Sequence, residues 1–263
     1  AAEMVCLVRA DDAAEGLRRI RRNLESYKLW RDGDEARLHP VLGDLASPRL
    51  GLDDAGFAAL AERVDVIVHN GGQVNFIAHY GHLEAANVGG TAEVLKLATM
   101  GVLKPVQLVS TLGVYVTRKH SGVLVRESSP APDPEGQHGG YNQSKWVSEQ
   151  LGLLARSRGV PVAIHRPARI TGDGATGIGN PGDYFSAWIR GCAQLGKAPY
   201  TPGDFFDMTP VDYVAKTLVR AMLGGGDANG DYHYFNSNTL PVTDAVATLR
   251  ERGFEIEEVP YPQ

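Results

Sequence analysis

In the stretch YNQSKWVSEQL, Lys145 follows Tyr141 by four residues, and an apolar side chain recurs every third or fourth position after that. That periodicity predicts a helix, and on a helix two side chains four apart lie one above the other on a single face. A phenol whose ordinary pKa is about 10 is a poor acid-base catalyst at neutral pH, but a neighbouring ammonium favours the phenolate and lowers that value. Lys145 is placed to do this for Tyr141. Thr111 directly follows the apolar run VQLVS upstream and can hydrogen-bond the same oxygen. A set of Ser/Thr, Tyr and Lys binds and protonates a carbonyl oxygen while hydride arrives from a nicotinamide.

Ten tyrosines and seven lysines give roughly a quarter of one such YxxxK pair by chance. The chain holds two. The other, Tyr115 and Lys119 in VYVTRKHSG, is β-branched and runs into glycine, so it reads as strand exit and loop. The plain alternative for the first pair is a half-buried core tyrosine beside a surface lysine.

The elements that must position these groups are short β-branched runs alternating with amphipathic segments. MVCLV, LHPVL, VDVIVH, PVQLVS and VAIHRP are nearly continuous in apolar character, as strands covered on both faces are. AAEGLRRIRRNLESY and NVGGTAEVLKLATM carry apolar residues at helical spacing. The alternation predicts an α/β fold, a doubly wound parallel Rossmann-type sheet. Ligands of such sheets bind beyond the carboxyl ends of the strands. Those ends carry Arg9, then Asp44 and Leu45 in GDL, then Asn70, Gly71 and Gly72 in HNGGQVN, then Ser110 and Thr111. Arg9 is placed to meet a 2′-phosphate where NAD-specific enzymes carry an acid, and Arg19 on the next helix can join it. Arg18, Arg21 and Arg22 read as a solvated face. Asp44 has the alternative of capping a turn, and the two glycines that of a tight loop.

The net charge of −5 gives no electrostatic footprint for nucleic acid. Cys6 and Cys192 lie far apart with no CxxC and no histidine pair beside them, which suits a reducing compartment, the cytoplasm, and argues against structural zinc. No metal is expected. No apolar run approaches the roughly 20 residues that span a bilayer, and AAEMVCLVRA lacks the pattern of a signal peptide, so neither membrane nor nucleic acid is an expected partner.

CLVRA, GDL, VHNGGQVNF, NVGGTAEVLKLA, VSTLGVY, YNQSKWVSEQL, RPARITGDGATGIGN and PVDYVA, in this order, resemble the thioester reductase domains of the extended short-chain dehydrogenase/reductases. Such domains end nonribosomal peptide and polyketide synthetases and carboxylic acid reductases. In that superfamily a serine or threonine stands ahead of a V-Y pair, here Val114 and Tyr115, which puts the match on Thr111 with Ser110 as its neighbour. The resemblance implies NADPH-dependent reduction of an acyl or peptidyl thioester on the phosphopantetheine arm of a carrier protein, inside a larger multidomain synthetase. The product would be an aldehyde, and a second hydride could give an alcohol. It further implies that Thr111 and Tyr141 stabilise the oxyanion and that Lys145 holds the nicotinamide ribose. Asn70, Gly71 and Gly72 would line the cofactor channel, Asp44 and Leu45 would meet the adenine, and Pro167 and Ile170 would sit near the nicotinamide. Asn87 reads as a cap of the helix NVGGT.

The chain departs from that family at its start. No GxxGxxG precedes MVCLV, so the first strand and its glycine turn are missing and the chain begins on what should be the second strand. GDGATGIGN is no substitute, because it follows the last core strand and lacks the lysine of a phosphate loop. The end, PYPQ, looks clipped. Residues 1–171 are expected to form the NADP-binding domain and residues 172–263 mainly a small substrate lobe, with helices near YFSAWIRGCAQL and PVDYVAKTLVRAML. Tyr184, Phe185, Trp188, Phe205 and Phe206 could line an acyl pocket, although residues at that spacing are more often plain core. Two other readings remain open: a different extended reductase or epimerase acting on a nucleotide sugar or small carbonyl, and a catalytically silent dinucleotide sensor, which normally lacks the Tyr and Lys pair.

Overall fold

The computed structural model describes residues 2–117, 122–130 and 134–260. Lys119, of the second YxxxK, lies outside the described residues. The chain divides into two compact units, one running to Arg166 and taking in Leu218–His233, the other comprising Pro167–Thr217 and the chain from Tyr234 onward.

All five strand candidates are strands of the first unit. β1 (Met4–Val8) pairs in parallel with β2 (Leu38–Leu42), and α1 (Ala13–Ser26) joins them. Asp12 caps α1 by accepting from the Glu15 N–H at 2.7 Å, and buried Gly16 lets α1 pack against Val8 and Pro40. α2 (Asp54–Arg63) leads to β3 (Ile67–His69), which α3 (Tyr80–Glu84) and α4 (Gly90–Ala98) connect to β4 (Val106–Val109). α5 (Gly140–Ser157) then leads to β5 (Val162–Pro167). β3, β4 and β5 are parallel, with His69 opposite Leu108 and Leu108 opposite Ile164. The ends that carry Asn70 and Ser110 therefore lie side by side. Leu50, Phe57, Ala61, Leu97, Leu108, Val162 and Ile164 belong to the core between this sheet and its helices, each large apolar side chain contributing about 1.5 to 3 kcal/mol on burial.

The parallel α/β expectation holds, with two differences. β1 and β2 form a two-stranded sheet separate from the four-stranded one, and Met4, Leu7 and Val68 are exposed. The second difference concerns the expected lobe 172–263. The larger sheet has the order β10-β5-β4-β3, and its edge strand β10 (Asp231–Tyr234) comes from late in the chain. The Ile164 N–H donating to Gly230 O at 2.9 Å shows why Leu218–His233 joins the first unit.

The second unit holds β6 (Ile170–Thr171), α6 (Tyr184–Leu195), β7 (Lys197–Tyr200), β8 (Phe205–Phe206), β9 (Thr209–Pro210) and most of α7 (Val211–Arg220). β11 (Leu240–Pro241), α8 (Val242–Glu251) and β12 (Glu257–Pro260) follow. Its strands pair as β6 with β9, β7 with β12 and β8 with β11. Phe185, Trp188 and Phe206 pack together as core, while Tyr184 and Phe205 are exposed.

Candidate active site

α5 begins in a confined place. Gly139 has φ 76°, which favours glycine, and a Cβ on Gly140 would overlap the Tyr80 nitrogen and the Ala78 carbonyl oxygen. The first turn is thereby wedged against the segment after β3, and Phe76 of that segment meets the Tyr141 ring edge-on at 5.3 Å. A turn further along, Lys145 is only 7% exposed and its Nζ donates to Val109 O at 2.6 Å. This bond fastens α5 to the end of β4, immediately before Ser110 and Thr111.

Thr111 caps the short 3-10 turn Leu112–Tyr115, its hydroxyl oxygen accepting from the Gly113 N–H at 3.0 Å. Among the described residues the hydroxyl makes no hydrogen bond as a donor. Ser110 is buried, and its Oγ has no hydrogen-bond partner among the described residues. The structure thus brings Ser110, Thr111 and Lys145 to one strand end, with Tyr141 a turn above Lys145.

The electrostatics correct one expectation. Burial raises the Tyr141 pKa above its ordinary value instead of Lys145 lowering it. Lys145 is itself pushed down to about 8 by burial, an effect that Glu149 opposes. His69, whose Nε2 lies 2.9 Å from Thr91 Oγ1, is held down at about 3 by burial and by the charge of Lys145. In a site this dry, desolvation outweighs the pairwise attraction on which the sequence argument relied.

The other predicted residues fall into three groups. Arg9 and Arg19 are exposed at the end of β1 and on α1, and Arg19 Nη1 donates to the Arg9 carbonyl. Asp44 Oδ1 accepts from the Ala46 N–H at 2.9 Å in a tight turn. Leu45 packs onto the core, and a Cβ on Gly90 would overlap its side chain. A Cβ on Gly71 would meet the Leu45 side chain, and one on Gly72 would meet the Asn87 amide; both glycines are exposed, as is Asn70 before them. Pro167 and Ile170 belong to the second unit, the former buried and the latter exposed at the start of β6.

Asn87 is not a helix cap. It sits in a π-helical turn, Ala85–Gly89, between α3 and α4. Its Oδ1 accepts from the Gln73 N–H at 2.6 Å, and its Nδ2 donates to Gln73 O and Ser144 Oγ. Ser148 Oγ donates to the Asn87 carbonyl at 2.8 Å. Asn87 thus ties the segment after β3 to α5.

The buried pair Glu149 and Arg166 had no role in the sequence argument. Arg166 Nε reaches both Glu149 oxygens at 3.1 Å, and Nη2 donates to Oε2 at 3.0 Å. Arg166 also meets Asp231 at 3.0 Å and lies over the Tyr115 ring. The signal was available: Glu149 follows Lys145 by four, as Lys145 follows Tyr141.

The family model described as "Male sterility protein", an NAD-binding family, matches residues 1–218. A linear gramicidin synthase polypeptide of Brevibacillus parabrevis is 43% identical over 259 residues, which is 98% of this chain and 5% of that protein. Glycine betaine reductase ATRR of Emericella nidulans is 42% identical over 266 residues, 99% of this chain and 21% of that protein. The crystal structure of the terminal R domain from the myxalamid PKS-NRPS biosynthetic pathway superposes with a TM-score of 0.93 at 41% identity, covering 99% of this chain and 66% of that one. The chain spans between 5% and 26% of the length of these and similar curated relatives. The chain belongs to this NAD-binding family, and it is built as the terminal reductase domains of peptide and polyketide synthetases are.

Proposed function

We propose that the chain is the NADPH-dependent reductase that releases an acyl or peptidyl thioester, tethered to a carrier protein through phosphopantetheine, as an aldehyde. The observation that carries this is the Lys145 bond to Val109, which holds the α5 face against the strand end bearing Ser110 and Thr111. The buried Ser110 Oγ, unpartnered among the described residues, is a polar atom that a bound ligand would satisfy, so the residues at this strand end fit the nicotinamide ribose of a dinucleotide. Lys145 and Ser110 would hold its ribose end, and exposed Arg9 and Arg19 would meet a 2′-phosphate. Asn70 would remain at the rim of the channel.

When bound, the reduced nicotinamide supplies a hydride to the thioester carbon. The chain's own part is to grip the carbonyl oxygen with the Thr111 and Tyr141 hydroxyls and to pass the Tyr141 proton to that oxygen as charge develops. A phenol is protonated at neutral pH, as a donor must be, and burial raises the Tyr141 pKa further. Collapse of the protonated adduct breaks the C–S bond. The thiol leaves with a proton, so one hydride and one proton are consumed for each bond broken. Among the described residues no helix is long and apolar enough to cross a membrane, and a cytoplasmic synthetase is the proposed setting.

The test is to offer the purified protein NADPH with several carrier-bound and pantetheine thioesters and to follow aldehyde and free thiol by mass spectrometry. Reduction of a nucleotide sugar with every thioester left untouched would replace this function with that of another extended reductase.

A further inference from the structure

The face of α5 that carries Tyr141 and Lys145 continues, four residues on, to Glu149. Glu149 and Arg166 are buried almost completely, with side-chain exposures of 0% and 1%. Such a pair is not needed for stability, since apolar residues of similar volume serve as well or better. Its charges are arranged in an alternating series. Lys145 is followed along the helix by Glu149, Glu149 grips Arg166, Arg166 meets Asp231, and Asp231 also accepts from Arg156 at 2.8 Å.

Among the described residues, no other group around Lys145 supplies a negative charge. On its own helix Tyr141 is a phenol, protonated at neutral pH, whose pKa burial raises further. β3 contributes His69, which is neutral, and β4 contributes the Val109 carbonyl. On the far side of Glu149, β5 contributes Arg166. Beyond that lie Tyr115 and, on β10, Asp231 and His233. Without the Glu149 charge, Lys145 and Arg166 would be two buried cations with only Asp231, shared with Arg156, to offset them.

We infer that Glu149, clamped by Arg166, is a positioning residue for the Tyr141 and Lys145 pair: it keeps the buried Lys145 amine charged so that it can hold ligand while Tyr141 gives up its proton. The inference rests on the proposed reductase function for its catalytic meaning, but not for its measurement. Burial alone drives Lys145 toward neutrality, and Glu149 is the group that opposes it.

The experiment is to titrate Lys145 in the full chain by NMR of 13Cε-labelled lysine, assigning its signal by loss in Lys145→Arg. In Glu149→Gln the acid dissociation constant of Lys145 should rise tenfold or more. In Glu149→Gln/Arg166→Gln, which removes one charge of each sign, it should rise by less. The alkaline limb of thioester reduction should move to lower pH by the same factors, whereas a purely structural pair would leave that limb in place. If the single variant does not fold, the double variant decides by the same signal. An unchanged Lys145 titration in either folded variant overturns the inference. A chain that reduces no thioester would remove the proposed function while leaving the titration to be judged separately.

Discussion

Lys145→Met should reveal what it costs the fold to carry a buried ammonium at the site. The native value of about 8, against an ordinary 10.5, corresponds to about 3 kcal/mol at about 1.4 kcal/mol per pH unit. Only 7% of the lysine is exposed, so solvent screening discounts this little. The sign follows from proton counting. Between pH 8 and 10.5 the unfolded lysine keeps its proton while the native one has lost it, so the unfolded state binds more protons and this group's contribution to stability rises with pH. Below pH 8 both states are protonated and the penalty is fully present. Met fills similar space without a charge. Its loss of the bond to Val109 O is a constant offset below pH 8 that cannot mimic a slope there. Urea denaturation of wild type and variant at intervals from pH 7 to 10 should show wild type gaining about 2 to 3 kcal/mol on the variant, nearly all above pH 8. A difference that stays flat across the range would refute the account of a desolvated Lys145.

Tyr141→Phe should lower the rate of thioester reduction by about 10²- to 10⁴-fold, the usual worth of a general acid, with NADPH binding by fluorescence unchanged. Tyr115→Phe, which loses a 3.4 Å bond to Ser129 O, should cost about 1 kcal/mol of stability in urea denaturation and leave turnover intact. Arg9→Ala should weaken NADPH binding by roughly ten- to a hundredfold and leave NADH binding unchanged, as read by calorimetry; equal losses would make Arg9 a structural residue. Gly140→Ala forces α5 away from the Ala78–Tyr80 backbone, so it should destabilise by about 1 to 3 kcal/mol and lower turnover together with stability. A thermally normal, fully active Gly140→Ala protein would show that this close approach has no bearing on the site.

The five strands were legible because each is a nearly continuous apolar run bounded by turn residues; burial on both faces accounts for that pattern in β4 and β5, whereas β1 and β3 keep it with Met4, Leu7 and Val68 exposed. β10 was not, because DYHY carries polar groups whose partners, such as Arg166 for Asp231, come from far earlier in the chain. The helix containing Asn87 was legible as a helix. Its π-helical turn was not, because its ties are tertiary: the Gln73 backbone and Ser144 lie 14 and 57 residues away. The same limit explains Gly71 and Gly72. A sequence shows that a backbone can be approached closely there, but not that Leu45 and Asn87 are the internal side chains lying beside it. The Tyr141 and Lys145 pair was legible because helical spacing alone stacks the two side chains. The direction of the Tyr141 shift was not, because it depends on how dry the site is.

That dryness bears on the direction of the chemistry. Burial disfavours every charge, so the same environment leaves Tyr141 as a neutral phenol and draws Lys145 toward a neutral amine. A neutral phenol can donate a proton to an oxyanion but cannot act as a base, which suits reduction over the reverse oxidation. A neutral amine would be a weaker anchor for ligand hydroxyls and could not stabilise the phenolate left after proton transfer. The two requirements conflict if burial acts alone. The carboxylate of Glu149 opposes burial at Lys145 and is absent from the effects on Tyr141. A single buried anion placed one turn beyond the lysine, and not beside the tyrosine, therefore lets one helix face present a proton donor and a cation together at neutral pH.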